Sequence, residues 1–326
     1  MMHLPAPAKA GMRTGTPASA GVFVLIALLF ALTGCATPQA SALLAQPQRG
    51  LPDRIELASV PFYPQEDYQC GPAALAEVLS HSGVPATPES LVDQVYVPER
   101  KGSLQAEMLA SARRHGRVGY RIPGNLQALL QEVSAGTPVV VLQNLAFGFA
   151  PVWHYAVVIG YDLQNEEVVL RSGVTRRLAM TLSNFERVWA RSGYWAMAAL
   201  PPGRLPAAAD PEGYAIAVSA LERSDVKAAR AAYDAGLKRW PDTLLLAIGA
   251  GNAAYATRDL ASAAGAYRMA TERHPSSGDA WNNLAQALFE LGRKEEALSA
   301  ARQAVSVGGT RRSAYEETLR AISSAP

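Results

Sequence analysis

Along the last third of the chain the same residue types return every 34 positions. Asp225 returns as Asp259, Tyr233 as Tyr267 and Pro241 as Pro275. Ala229, Ala263 and Ala297 fall on one phase, as do Tyr255 and Phe289. That period is the length of two helices with their turns. Small residues at a fixed phase let paired helices approach closely, and large ones fill the space between units. One unit cannot bury its apolar face alone, so the units must stack. Residues 211–326 therefore read as all-α, in three units starting near Pro211, Asp242 and Ser276, with a closing helix near Arg312–Ile322. Three units are near the minimum for a stable stack, which leaves docking on the preceding domain open. Residues 204–210, after Pro201-Pro202-Gly203, read as a linker.

The other end of the chain reads as an export segment. Lys9 and Arg13 precede an apolar run from Val22 to Leu32. A membrane-spanning helix needs about 20 apolar residues, so this run has the length of a signal-peptide core instead. It ends in Leu32-Thr33-Gly34-Cys35, which resembles the bacterial lipobox. The resemblance implies a lipoprotein signal over 1–34 and a diacylglyceryl thioether on Cys35. Ala36 follows where an acidic residue would retain the protein at an inner membrane. That implies a lipid-anchored protein of the bacterial cell envelope, at the outer membrane and facing the periplasm. Residues 35–52, rich in Pro, Gln, Ala and Ser, read as a flexible tether. A formal net charge of +2 and the lack of a basic run argue against nucleic acid as a partner. There is no zinc-type Cys/His spacing, no phosphate-binding G-x-x-x-x-G-K-[ST], and no sign of a cofactor.

Residues 53–203 form the middle domain. The chain has two cysteines. With Cys35 in the export motif, Cys70 has no intrachain partner for a disulfide. It sits in Gln65-Glu66-Asp67-Tyr68-Gln69-Cys70-Gly71-Pro72-Ala73-Ala74-Leu75, where Gly71-Pro72 opens an apolar run at helical spacing. A cysteine at a helix N-terminus gains from the dipole, which favours the thiolate and lowers the thiol pKa. The alternative is a small buried cysteine at a helix start. The helix runs to about His81. Further helices follow over Pro88–Val95, from a cap at Ser103 to Gly116, and from a cap at Asn125 to Gly136. Strands are then read at Arg54–Leu57, Val118–Ile122, Pro138–Leu142, His154–Tyr161, Val168–Leu170, Arg177–Met180 and Tyr194–Leu200. Helices first and an antiparallel sheet second make an α+β domain. Of five histidines, His3 falls in the signal, His81 and His115 at helix C-termini, and His274 in the repeats. His154 alone heads a buried strand, beside a loop carrying Phe147, Phe149 and Trp153. A half-buried histidine at a strand end is its structural alternative.

Together these pieces resemble the papain-like cysteine peptidases. More narrowly, Gln65…Cys70-Gly71-Pro72-Ala73-Ala74-Leu75 and His154-Tyr155-Ala156-Val157-Val158-Ile159-Gly160-Tyr161 resemble the C39 family, whose bacteriocin-processing members cut after a Gly-Gly leader. The resemblance implies Cys70 as nucleophile, His154 as the base ion-paired with it, and Gln65 as donor to the oxyanion. The family glutamine stands six residues before the cysteine. Gln65 is five before, and Gln69 is adjacent. The family also has Asp-Pro where this chain has Arg171-Ser172-Gly173, opposite His154 across a hairpin turning near Gln164. Ser172, a backbone carbonyl or no group at all orients His154. Asp162 is excluded, being about 26 Å away along the strand at about 3.3 Å per residue. The C-terminal units, with Trp281-Asn282-Asn283-Leu284-Ala285, Leu291-Gly292-Arg293 and Ala297, resemble tetratricopeptide repeats.

The expected fold is thus an α+β papain-like cysteine peptidase domain followed by an all-α tetratricopeptide-type repeat domain. The expected activity is peptide-bond hydrolysis through Cys70 and His154 on a lipid-anchored chain. Its partners would be a peptide or protein substrate, a protein bound by the repeats, and the membrane. The competing reading is a weak or inactive C39-like peptide-binding module serving an envelope assembly. Acyl transfer to an amine is a third.

Overall fold

A computed structural model describes residues 37–46, 50–65 and 69–326. The expected signal and Cys35 lie outside the described residues.

The middle domain is a seven-stranded antiparallel sheet with helices on both faces. Its strands are β1 (Arg54–Glu56), β4 (Val118–Arg121), β5 (Val139–Asn144), β6 (Trp153–Asp162), β7 (Glu167–Ser172), β8 (Thr175–Thr181) and β9 (Ala196–Leu200). The spatial order is β4-β9-β5-β6-β7-β8, and β1 pairs with the C-terminal half of β6. A small separate hairpin joins β2 (Tyr96–Val97) to β3 (Gly102–Ser103). The continuous apolar run of β5 follows from double-sided burial. Val139 and Val141 pack on one side, and Val140 and Leu142 on the other. Helices α2 (Cys70–His81), α3 (Pro88–Val95) and α4 (Gln105–Arg114) cover one face. Helices α5 (Leu126–Ser134) and α6 (Leu182–Ala190) cover the other.

Three local expectations are corrected. The stretch read as a flexible tether contains a helix, α1 (Pro38–Ala45), with Ala40 and Leu43 buried. Glu186 of α6 accepts the free N–H groups of Gln39 and Ala40 at 3.1 and 2.7 Å, so a helix N-terminus meets a carboxylate. Ser103 does not cap a helix. It lies in β3, and Leu104 is the residue before α4. Helix α6 was not expected between the strands, although Thr181 caps it and Leu182, Phe185 and Trp189 form its inner face.

The C-terminal helices pair as α7 (Pro211–Glu222) with α8 (Val226–Arg239), α9 (Leu244–Ala256) with α10 (Leu260–Arg273), and α11 (Gly278–Glu290) with α12 (Lys294–Val307). Helix α13 (Arg312–Ser324) closes the stack. Helices α8, α10 and α12 start 34 residues apart, and Ala229, Ala263 and Ala297 are fully buried. Asp225 and Asp259 cap α8 and α10 by accepting from Ala228 and Ser262. The array docks on the middle domain. Tyr214, Ala215 and Val218 of α7 share a core with Val118 and Tyr120 of β4. Buried Glu132 of α5 accepts the N–H of Ala208 in the linker at 2.9 Å.

Candidate active site

Cys70 opens α2, whose residues Gly71–Leu79 are buried, all but Glu77 of them without a charge. Gly71 is required there. A Cβ at that position would fall inside the Ser103 side chain. The missing side chain lets β3 close over the start of α2. Cys70, Gln65, Ser103, His154 and Tyr155 line one cleft of about 1180 Å³, with Leu104, Trp153 and Val174 at its mouth.

The thiol sits against the first residues of β6. The backbone N–H groups of Tyr155, Gly71 and Cys70 itself act on the sulfur and favour the thiolate, but burial outweighs them and pushes the Cys70 thiol up from its ordinary value. The helix terminus alone would lower the thiol pKa; the desolvation imposed by the closing hairpin reverses that expectation. Burial also holds the His154 imidazole below its ordinary value. Burial thus works against the charged form of each group, where the family resemblance implied an ion pair.

His154 bonds through Nε2 to Ser172 Oγ at 2.9 Å, across the β6–β7 hairpin. Asp162 stands at the other end of β6, where its carboxylate accepts from Asn165 and faces Arg54. The remaining described histidines have structural partners: Gly136 O for His81, Gln94 for His115 and Asp242 O for His274.

Gln65 lines the cleft, and its Nε2 is buried with no hydrogen-bond partner among the described residues. A buried amide donor left unpaired is costly unless a ligand atom completes it. Its backbone N–H is fixed by Gly173 O at 3.2 Å, which ties the Gln65 loop to the turn after Ser172. Gln69 precedes α2 without capping it through its side chain and is not among the cleft residues. Ser103 Oγ is a second buried polar atom in the cleft with no partner among the described residues, and no sequence motif marked it.

Two buried ionisable side chains, Glu77 and Arg171, lie behind the cleft and carry no local signal of that role. Glu77 is seven residues after Cys70, on the same face of α2, and accepts the Tyr63 N–H at 3.1 Å. Arg171 donates to Val60 O at 2.9 Å and to Arg176 O. Together they hold the loop leading to Gln65 from the nucleophile helix on one side and the Ser172 strand on the other. The one local oddity is a lone glutamate in the apolar run Ala73–Leu79. Burial pushes its carboxyl up to about 8, against the opposing pull of the Tyr63 N–H and of Arg171.

The fold and cleft define a papain-like α+β domain joined to a helical-repeat array. Residues 57–197 match the Peptidase_C39 like family, and residues 214–273 and 248–317 match the tetratricopeptide repeat. The chain thus carries a C39-like peptidase domain followed by tetratricopeptide repeats, an architecture that binds proteins. A Bacillus anthracis protein described as a C39-like peptidase is similar at 18% identity over 45% of this chain and 97% of its own, with a TM-score of 0.39. The tetratricopeptide domain of Sgt2 from Aspergillus fumigatus is similar at 20% identity over 35% of this chain and 76% of its own, with a TM-score of 0.33. The TPR2B domain of yeast Sti1, solved in complex with pHsp70, is similar at 18% identity over 35% of this chain and 93% of its own, with a TM-score of 0.32. Among curated proteins no match was found.

Proposed function

We propose that this chain is a cysteine peptidase, anchored to the bacterial envelope by lipid on Cys35, whose repeats hold a protein partner or substrate. The observation that carries the reading is one cleft of a C39-like domain holding a lone thiol, an imidazole and a buried unpaired amide. Cys70 Sγ attacks the scissile carbonyl carbon, and the carbonyl electron pair moves onto oxygen. The thiol proton passes to His154 during attack, because burial disfavours the charged form of each group. Gln65 Nε2 donates to the oxyanion. His154 then gives the proton to the leaving amine. Water, deprotonated by His154, hydrolyses the thioester and returns the thiol. Ser172 orients the ring without supplying negative charge.

The test is cleavage of a peptide library by the full chain. Activity is expected to fall by about a thousandfold or more in both Cys70→Ala and His154→Ala, the order seen when a nucleophile–base pair is broken. Cleavage that persists in Cys70→Ala sinks the reading. A second reading, a peptide-binding module of low activity, is favoured by the serine in place of a carboxylate and by the burial of the thiol. Under it, the wild type and Cys70→Ala bind the same peptides and neither cuts them.

A further inference from the structure

Six large apolar side chains stand exposed in one region. The β5–β6 loop carries Leu145, Phe147, Phe149 and Val152. Trp153 follows at the start of β6, and Val174 lies in the β7–β8 turn. Phe149 is 88% exposed, Val174 78% and Phe147 65%. The two phenylalanine rings stack on each other, with centroids 5.5 Å apart. The loop is held in this form. Asn144 Oδ1 accepts the N–H groups of Ala146 and Val152 at 3.1 and 3.0 Å, and Arg191 donates to the carbonyls of Asn144 and Ala146. Contiguous apolar exposure on this scale marks an interaction surface. Val152, Trp153 and Val174 also line the cleft, so the patch is the cleft's rim.

The N-terminal chain is fixed to the body at Gln39 and Ala40. The N–H groups of Gln39 and Ala40 donate to Glu186, and the Gln39 side chain bridges Gly124 O and the Leu126 N–H. Glu186 is on α6, five residues before the Arg191 that holds the aromatic loop. Four residue steps separate Cys35 from Gln39, a reach of at most about 14 Å. A lipid on Cys35 therefore keeps this side of the body at the bilayer and gives it no long tether to swing on.

We propose that the rim formed by Phe147, Phe149, Trp153 and Val174 seats in the interfacial layer of the phospholipid bilayer that holds the anchor. The cleft then opens at the membrane surface and takes peptide segments lying in, or leaving, that surface. Tryptophan favours this layer, and phenylalanine buries into its acyl boundary beside basic groups. Arg100, Lys101 and Arg191 at the cleft have the sign that anionic headgroups attract. The proposal rests on the lipid anchor of the proposed function, but not on catalysis.

The test uses the full chain, purified from bacterial membranes and reconstituted into phosphatidylethanolamine–phosphatidylglycerol vesicles with acyl chains brominated near the headgroups. Intact mass reports acylation. More than half of the tryptophan fluorescence quenched by bromine is expected to disappear in Trp153→Phe. Quenching of Trp153 is expected to fall at least twofold in Phe147→Ser/Phe149→Ser, with the Cys70 alkylation rate unchanged. An acylated protein whose quenching is the same in wild type and Trp153→Phe overturns the proposal. So does a double variant that keeps its quenching but binds substrate peptide more weakly, which assigns the rim to substrate. A chain with no acyl mass overturns the anchor itself.

Discussion

Ser172 gives His154 an orientation without a charge. A carboxylate in that position would stabilise the imidazolium, and an opposite charge at such range moves a pKa by about 1–3 units. Ser172→Asp is expected to raise the His154 pKa, bring the Cys70 thiol down and speed alkylation of Cys70 at pH 7 by about tenfold. The pH profile of alkylation by a small haloacetamide reads this directly. A profile unmoved by Ser172→Asp and by His154→Ala would mean that the two groups do not communicate. Glu77 makes a second prediction. Its folded pKa, about 8, lies above the ordinary carboxyl value of 4.5. The folded state therefore binds a proton that the unfolded state releases. That contribution is complete below about pH 4.5 and is lost as pH rises through about 8. Melting temperature in the wild type should fall across that window. Glu77→Gln, which keeps an acceptor for the Tyr63 N–H, should flatten the decline. Equal slopes in the two proteins would refute the assignment.

At the scale of elements, two glycines set how closely neighbours approach. Gly71 admits the Ser103 hairpin over the nucleophile helix. Gly71→Ala should cost about 1–3 kcal/mol, the usual range for overpacking, and Gly71→Ala/Ser103→Gly should recover most of it in urea denaturation. Recovery of nothing would place the strain elsewhere. Gly160 admits β1, because a Cβ there would stand 2.5 Å from Ile55 O. The helices at Pro88 and Asn125 were legible from caps and the one at Cys70 from Pro72 and apolar spacing, since these signals are local. Helix α6 carried the same signals, but it lies in a region where strands dominate the pattern. Helix α1 was obscured because its composition resembles a linker. Its stability comes from Glu186, about 150 residues away, and from two buried side chains.

Across the whole molecule, the repeats and the peptidase-like domain share one core through α7 and β4. Glu132 secures the linker between them. Glu132→Ala removes the partner of the half-buried Ala208 N–H, at a cost of about 1 kcal/mol. The two domains are expected to unfold in a single calorimetric transition in the wild type and to separate into two in the variant. A single transition in both would show that the α7 contact alone couples them.

The sequence by itself determined the two architectures, the order of most elements, and the hairpin partner region of His154. Periodicity, caps and turn residues act over a few positions, and a 34-residue repeat is visible in one dimension. Tertiary structure decided which glutamine lines the cleft, that Ser172 meets His154, and that burial works against the charged forms of the thiol and imidazole. It also decided that residues 39–45 dock on the body instead of trailing from it. These outcomes depend on desolvation and on contacts between separate segments, such as Tyr155 with Ser103 and Ala40 with Glu186. No local pattern encodes how much water the folded chain excludes from a particular side chain.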